Sequence, residues 1–198
     1  MTIPPIIRIF FAVELNLEIK QALANLLHVL KRKAKKNAIR WTMPENLHIT
    51  LQFLPAVRLE DIELLMRNVR TQLQGKIKVC KLIFNGVELF PNPYRPRVIV
   101  LSTRFHENLT ALSQLIGQGI LASHYEIDTR PFKAHLTLGR IKHPQEANLS
   151  FLKDCMPPVL EAIDIKEVVL FRSEPQPEGS KYSVIERIQL ENLEALET

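Results

Sequence analysis

The sequence has 198 residues, 46% hydrophobic and 24% charged, which is the composition of an ordinary globular protein and excludes a disordered chain. It carries 26 Lys and Arg against 21 Asp and Glu, and the net charge of +5 favours an anionic partner such as nucleic acid or a phosphate ester. No apolar run reaches the roughly 18 residues that cross a bilayer, and Cys80 and Cys155 are too far apart for a C-x-x-C pair. We therefore expect a cytoplasmic protein with reduced thiols and no membrane partner.

The chain opens with a strand followed by a helix. The apolar run 6–15 is interrupted by Arg8 and Glu14 and is followed by no small-residue cleavage site, so it indicates a first strand and not a signal peptide. Apolar residues at three- and four-residue steps predict a helix over 16–36. This helix ends in a basic cluster, which is either a solvated helix end or a contact for an RNA backbone: Lys31, Arg32, Lys33, Lys35 and Lys36.

The next two elements are a strand and a second helix. The strand begins at the Pro44 turn and runs to about 54, where Pro55 is expected to end it. The same apolar spacing predicts a helix over 59–73, which Gly75 closes.

The middle of the chain predicts strands over 76–89 and 97–103, joined by the loop 91–97. Three prolines, two arginines and a tyrosine make this loop stiff. It either holds its guanidinium groups and its ring toward RNA or is an exposed turn.

A third helix over 106–123 and several short elements complete the chain. A short strand over 124–128 precedes the strand 134–142. The Pro-rich stretch 144–160 is irregular, with a helical turn near 149–154, and two strands follow over 163–173 and 181–190.

Two of these strands carry the same pattern, apolar-His-apolar-Thr-apolar. It occurs at 47–51 and again at 134–138, whereas a chain with 6 His and this threonine content would hold fewer than one His-x-Thr triplet by chance. Because strand side chains alternate between faces, His48 and Thr50 share one face and the aliphatic residues share the other, and the same holds for His135 and Thr137. Two such strands indicate one bilobal anion site. Either motif taken alone could instead be a strand with a half-buried structural histidine.

The order of elements favours an α+β fold. No glycine-rich phosphate loop lies between a strand and a helix, and the chain has only 6 glycines, so a Rossmann or P-loop site is not indicated. The remaining histidines are scattered, and no acidic pair accompanies either motif, so no metal site and no cofactor are expected.

The two motifs and their flanking blocks resemble the two-histidine (2H) phosphoesterases, and among them the RNA 2′,3′-cyclic phosphodiesterases, also called 2′-5′ RNA ligases. The resemblance covers most of the chain, and the blocks that carry it are 8–15, 40–54, 90–97, 130–140 and 170–174. It implies one domain over 1–198, made of two intertwined pseudo-symmetric lobes. Their two antiparallel sheets would face each other across a central groove, with helices on the outer faces and one His-x-Thr motif in each lobe.

The resemblance also implies roles. His48 would be the proton donor and His135 the proton acceptor, an assignment that the symmetry of the motif leaves open. Thr50 and Thr137 would bind the substrate phosphate, as would Arg140. Strict alternation, however, puts Arg140 on the opposite face from His135, so it reaches the site only if the strand bends near Gly139.

The implied reaction is metal-independent hydrolysis of RNA ends bearing a 2′,3′-cyclic phosphate to 2′-phosphomonoesters, with 2′-5′ ligation as its reverse. An imidazole holds or releases a proton near neutral pH, so a pair can supply an acid and a base, and threonine hydroxyls can donate to phosphoryl oxygens. The partner would be RNA or a nucleotide ending in the cyclic phosphate, bound by a monomer. Two alternatives stay open: a non-catalytic module that binds RNA or nucleotides, or a phosphodiesterase for small cyclic nucleotides or 2′-5′ oligonucleotides.

Phe10, Phe11 and Trp41 are expected in the core, and Tyr182 and Arg172 could approach the groove.

Overall fold

The computed structural model describes residues 5–190 except for 36, 78, 105, 106, 143, 145, 146, 154, 156, 159 and 178, so Lys36 of the basic cluster lies outside the described residues. Within the described ranges the chain forms three α-helices and ten strands. Their order is β1 Ile6–Glu14, α1 Leu17–Lys33, β2 Ile39–Trp41, β3 His48–Arg58, α2 Ile62–Leu73, β4 Cys80–Leu82, β5 Phe84–Phe90, β6 Val98–Thr103, α3 Glu107–Ala122, β7 His135–Ile141, β8 Ile163–Ile165, β9 Glu167–Gln176 and β10 Gly179–Gln189. None of these helices is long and apolar enough to cross a membrane.

The strands of the main sheet form two antiparallel groups that meet where β3 pairs with β7. One group has the order β10-β9-β1-β3, and the other has the order β7-β6-β5, with β2 also paired to β7. β4 pairs separately with β8. β3 and β7 pair only through Ile49 and Leu136. The predicted α+β class with antiparallel sheets is therefore confirmed, and each group contributes one His-x-Thr strand.

The aliphatic faces of β3 and β7 belong to the main core. Ile49 and Leu136 are fully buried there, in a cluster that also contains the apolar stripes of the three helices. A second, smaller cluster lies on the other face of β1 and β9 and consists of Phe10, Ala12, Val169 and Phe171, with Tyr182 packed against it. The prediction that Phe10 and Phe11 are buried is confirmed, but the two rings lie on opposite faces of β1.

Helix α3 supports β3 from behind. The side-chain amide of Gln52 donates to the carbonyl oxygen of Ser113 at 3.0 Å, and the Ser113 hydroxyl donates to the carbonyl oxygen of Leu51 at 2.9 Å. These bonds satisfy polar groups at a buried junction, where an unpaired group would be costly. They hold the first motif strand against the helix.

The prediction that Pro55 ends the first motif strand is wrong. β3 continues to Arg58, and its pairing with β1 shifts between Ile7↔Val57 and Ile9↔Leu54, so Pro55 lies at a β-bulge. A bulge accepts proline because it leaves a residue of the strand outside the ladder of hydrogen bonds.

The predicted short strand over 124–128 is also wrong. His124 has φ +62°, which ends α3 in a left-handed conformation. The Tyr125 hydroxyl then accepts from the backbone N–H of Arg58 at 3.1 Å and donates to the carboxylate of Asp61. The segment is anchored by this side chain and not by strand pairing.

Close packing of α3 on α2 yields a stability prediction. A Cβ at Gly119 would lie 2.6 Å from the Cα of Val69, so Gly119→Ala forces the helices apart and should lower the free energy of unfolding by about 1–3 kcal/mol. Gly117→Ala is the matched control, because its Cβ would meet only the ends of the Gln52 and Ile127 side chains, at 3.3 Å. Alanine also gains about 1 kcal/mol of helix propensity there. Urea denaturation measures both variants, and equal destabilisation would contradict this packing.

Candidate active site

The two His-x-Thr motifs cross at their central residues. Ile49 pairs with Leu136 in antiparallel register, and both face the core. The outer residues of the motifs therefore project from the other face, with the His48 end of β3 beside the Thr137 end of β7 and Thr50 beside His135. A local pseudo-two-fold axis through the Ile49–Leu136 pair relates the motifs.

All five residues predicted for the site line one cavity. His48, Thr50, His135, Thr137 and Arg140 surround a space of about 300 Å³. A cavity of this size is at the lower end of the range for small-molecule sites. The structure thus brings the predicted residues together, while the roles given to them stay predictions.

Each histidine is oriented by a backbone carbonyl two residues before it. The Nδ1 atom of His48 lies 2.7 Å from the carbonyl oxygen of Asn46, and Nδ1 of His135 lies 2.7 Å from that of Lys133. A carbonyl oxygen can only accept, so Nδ1 carries the hydrogen in both rings and Nε2 is left to exchange protons. Nε2 of His48 lies 3.0 Å from the hydroxyl oxygen of Thr50.

Aromatic rings enclose His48. Its ring centroid lies 4.7 Å from that of Phe10, 5.3 Å from that of Tyr182 and 6.4 Å from that of Phe171. Burial among these rings disfavours the imidazolium and lowers the pKa of His48 to about 4, although the bond to the Asn46 carbonyl acts in the opposite direction. His48 is therefore neutral at pH 7 in the free protein.

His135 has different surroundings. Its ring centroid lies 5.0 Å from that of Phe90, the last residue of β5. The loop 91–97 begins directly after this contact, but Tyr94 at its tip is 93% exposed. Asn92 accepts from the backbone N–H groups of Tyr94 and Arg95 at 3.0 Å, which forms the turn. The loop is thus an exposed turn whose base lies against the site.

A β-bulge in each motif strand follows the threonine. β7 places Gly139 opposite Ile99 and Thr137 opposite Val100, so Leu138 is the extra residue. On β3 the corresponding shift lies between Phe11↔Gln52 and Ala12↔Thr50, so Leu51 is the extra residue. A bulge reverses the alternation of side chains. This is the bend that Arg140 needed, and Arg140 therefore faces the same cavity as His135.

Gly139 permits the close approach of β2 to β7. A Cβ there would lie 2.8 Å from Cγ2 of Ile39 and 3.0 Å from Cε3 of Trp41, because β2 pairs closely alongside. Trp41 is half-buried against the core, as predicted.

Sequence reasoning missed several lining residues. Phe53 occupies the position on β3 that Arg140 occupies on β7, three residues after the threonine and beyond the bulge. Thr42 lines the cavity and its hydroxyl donates to the carbonyl oxygen of Thr137 at 2.8 Å, while Asn46 lines it and donates to that of Ser180 at 2.8 Å. Asn46 lies two residues before His48, and this spacing could have indicated from the sequence that Asn46 is near the site.

The last strands complete the wall. Ser173 and Tyr182 are paired across β9 and β10 and both line the cavity. Arg172 does not line it and instead pairs with Glu174 at 3.1 Å. The expectation that Tyr182 approaches the groove is met, and that for Arg172 is not.

Other features of the described part of the chain do not form a comparable site. No three His, Cys, Asp or Glu side chains among the described residues lie together as metal ligands would. A larger open cavity of about 910 Å³, lined by parts of 13–22 and 160–167, contains five carboxylates and no histidine. Those negative charges would repel a phosphate ester.

Comparison with known proteins decides the family. The sequence profile of the family described as LigT like Phosphoesterase matches the chain over residues 13–100 and again over 101–182. The chain belongs to this family. The resemblance to the two-histidine phosphoesterases inferred from the motifs is thereby confirmed.

Relatives in this phosphoesterase family match nearly end to end. A protein of Archaeoglobus fulgidus named RNA 2′,3′-cyclic phosphodiesterase is 29% identical over 175 residues, which are 88% of this chain and 96% of the relative. A Thermus thermophilus protein of the same name is 31% identical over 199 residues, with coverage of 92% and 90%. The crystal structure of E. coli LigT with 3′-AMP has a TM-score of 0.75 at 23% identity, with coverage of 94% and 99%. This last likeness shows the fold.

The enclosure of His48 yields a titration prediction. NMR of the His48 ring protons should give a midpoint near pH 4, where the free imidazole has 6.5. Between these values the unfolded chain binds a proton at His48 that the folded chain does not, so the free energy of unfolding falls as the pH falls from 6.5 to 4.

The matched variants isolate this effect. His48→Gln should flatten the slope of unfolding free energy against pH in that window. His28→Gln should keep the wild-type slope, because His28 is exposed on α1. A His48 midpoint near pH 6.5 would show that enclosure by Phe10, Phe171 and Tyr182 does not lower the pKa of His48.

Proposed function

We propose that this phosphoesterase hydrolyses RNA ends bearing a 2′,3′-cyclic phosphate and leaves 2′-phosphomonoesters. The observation that carries the proposal is the crossing of the two motifs at Ile49 and Leu136, which sets two imidazoles and two threonine hydroxyls around one cavity. The name shared by the archaeal and bacterial relatives supports the substrate. We propose that the enzyme acts as a monomer and without metal.

The proposed reaction uses both Nε2 atoms. His135 accepts a proton from water, whose oxygen attacks phosphorus, and the bond from phosphorus to the 3′-oxygen breaks in line. His48 donates a proton to the departing 3′-oxygen. The hydroxyls of Thr50 and Thr137 donate to the non-bridging oxygens as charge develops on them, and Arg140 offsets the negative charge of the phosphodiester.

The protonation states place one requirement on the substrate. His48 must carry a proton to act as the donor, yet burial holds its pKa at about 4 in the free protein. A phosphodiester anion close to the ring favours the imidazolium and raises the pKa. Substrate binding therefore favours the protonated form of His48, which is the form that can donate.

In the reverse direction a 5′-hydroxyl of RNA replaces water, the histidines exchange roles, and 2′-5′ ligation results.

A side-by-side assay tests this proposal. RNA ending in a 2′,3′-cyclic phosphate, a mononucleotide 2′,3′-cyclic phosphate and 2′-5′-linked RNA are incubated with the enzyme, and the products are mapped by ³¹P NMR. We expect hydrolysis of the cyclic ends to a 2′-phosphate. Mainly 3′-phosphate would mean that His48 does not face the 3′-oxygen, and binding without turnover would favour a non-catalytic module.

Single substitutions test the two histidines. His48→Ala and His135→Ala should each lower kcat by about a hundredfold or more, the scale of losing a general acid or base, while circular dichroism shows an intact fold. Thr50→Ala and Thr137→Ala should cost less, because each removes one of several donors. His28→Ala is the control, since His28 is exposed on α1. Near-normal turnover in either histidine variant would remove that residue from the mechanism.

The pH profile tests the pair together. Below both pKa values each histidine is charged and no base remains, whereas above both each is neutral and no acid remains, so kcat/KM should follow a bell. Burial lowers the pKa of His48 to about 4 in the free enzyme, so one limb of the kcat/KM profile should lie near pH 4. Activity should persist in excess EDTA, because the imidazoles supply both proton transfers. A strict requirement for a divalent metal, or a rate that climbs steadily through alkaline pH, would overturn this mechanism.

A further inference from the structure

A second, smaller cavity continues from the site. It measures about 100 Å³ and shares Thr42, Asn46, Arg140 and Tyr182 with the first. Since the same side chains line both spaces, the two form one groove. The second space is otherwise bounded by β2, the turn after it and the start of β10: Arg40, Trp41, Met43, Gly179 and Ser180.

Two neighbouring arginines line this second cavity. Arg40 on β2 is directly opposite Arg140 in the strand pairing with β7, and both residues are exposed. Like charges directly opposite on neighbouring antiparallel strands are destabilising. Elsewhere in the sheet an opposed charged pair, Lys181 and Glu174, combines opposite signs.

Neither arginine is neutralised within the described part of the chain. The ion pairs and side-chain hydrogen bonds between described residues include no partner for Arg40 or Arg140. Two unneutralised guanidinium groups side by side are suited to a phosphate, which each can bind in bidentate geometry. The position beside the catalytic cavity specifies which phosphate that is.

We propose that Arg40 and Arg140 bind the internal phosphodiester next to the cyclic end, so that the preferred substrate is a strand of two or more nucleotides. This inference rests on the proposed function, because the first cavity must hold the cyclic phosphate. Arg140 lines both cavities and contacts both phosphates, whereas Arg40 lines only the second and serves the internal one. A mononucleotide cyclic phosphate has no group for Arg40 to bind.

Three substrates distinguish the contribution of the internal phosphodiester from that of the cyclic phosphate. They are a mononucleotide 2′,3′-cyclic phosphate, a dinucleotide ending in the same group, and that dinucleotide with a neutral methylphosphonate linkage. We expect the wild type to favour the charged dinucleotide over the other two by about tenfold or more in kcat/KM, as for the loss of a charge-assisted hydrogen bond. The neutral linkage keeps the second base and removes only the charge.

Variants at Arg40 complete the test. Arg40→Gln should reduce the preference for the charged dinucleotide to near unity, and Arg40→Lys should retain part of it because the charge remains. Arg67→Gln is the control, because Arg67 lies on α2 and pairs with Glu63 away from the groove. The salt dependence of dinucleotide binding should also weaken in Arg40→Gln, by about one phosphate contact.

The outcomes distinguish this site from the proposed function. Equal wild-type kcat/KM for the mononucleotide and the charged dinucleotide, or an equal loss for both in Arg40→Gln, would overturn the second phosphate site and leave the hydrolase intact. If no substrate is turned over, the proposed function fails. Titration calorimetry with a dinucleotide 3′-phosphate then decides on the site alone: weaker binding to Arg40→Gln supports it and unchanged binding overturns it.

Discussion

The pairing of Ile49 with Leu136 is the constraint on which the site depends. It joins two otherwise separate antiparallel groups of strands, and both side chains are fully buried. Because the pair lies at the centre of each motif, burial of these two aliphatic residues obliges the flanking polar residues to face the other way. A slip of one residue on either strand would turn one histidine into the core. Hydrophobic packing on one face of the two strands thus positions His48 and His135 on the other face.

Much of this could be predicted from the sequence because the relevant signal is local. Alternation within five residues predicts that His48 and Thr50 share a face, and no partner strand is needed to infer it. The position of Arg140 was not local in this sense. It depends on a bulge at Leu138 that is defined only by the pairing with β6, and on the proximity of β2 to Gly139. Pro55 was misjudged for the same reason, since the bulge that accepts it is a property of the β1–β3 pair.

The site combines a symmetric backbone with asymmetric surroundings. Both motifs have a carbonyl oxygen 2.7 Å from Nδ1 and a bulge directly after the threonine. Beyond that bulge, β3 presents the ring of Phe53 where β7 presents the guanidinium of Arg140. Two histidines can act as an acid and a base only if one is charged while the other is neutral, and unlike environments are the means by which proteins separate the pKa values of like groups. The repeated His-x-Thr motif supplies the two imidazoles, and the different residues around them give the two rings different environments.

The charges around His48 explain why its protonation depends on an anion. Besides burial, Coulombic interactions with Lys20, His135 and Arg140 lower the pKa of His48, so the imidazolium form of His48 is unfavourable in the free protein. The carboxylate of Glu14, which is opposite His48 in the pairing of β1 with β3, is engaged by Lys20 at 3.0 Å and by Arg187 at 2.8 Å. A phosphodiester placed in the cavity of the site would lie close to His48, His135 and Arg140 together. In the proposed reaction the substrate therefore supplies the negative charge that makes its own proton donor, and the acid forms in the complex where it is used.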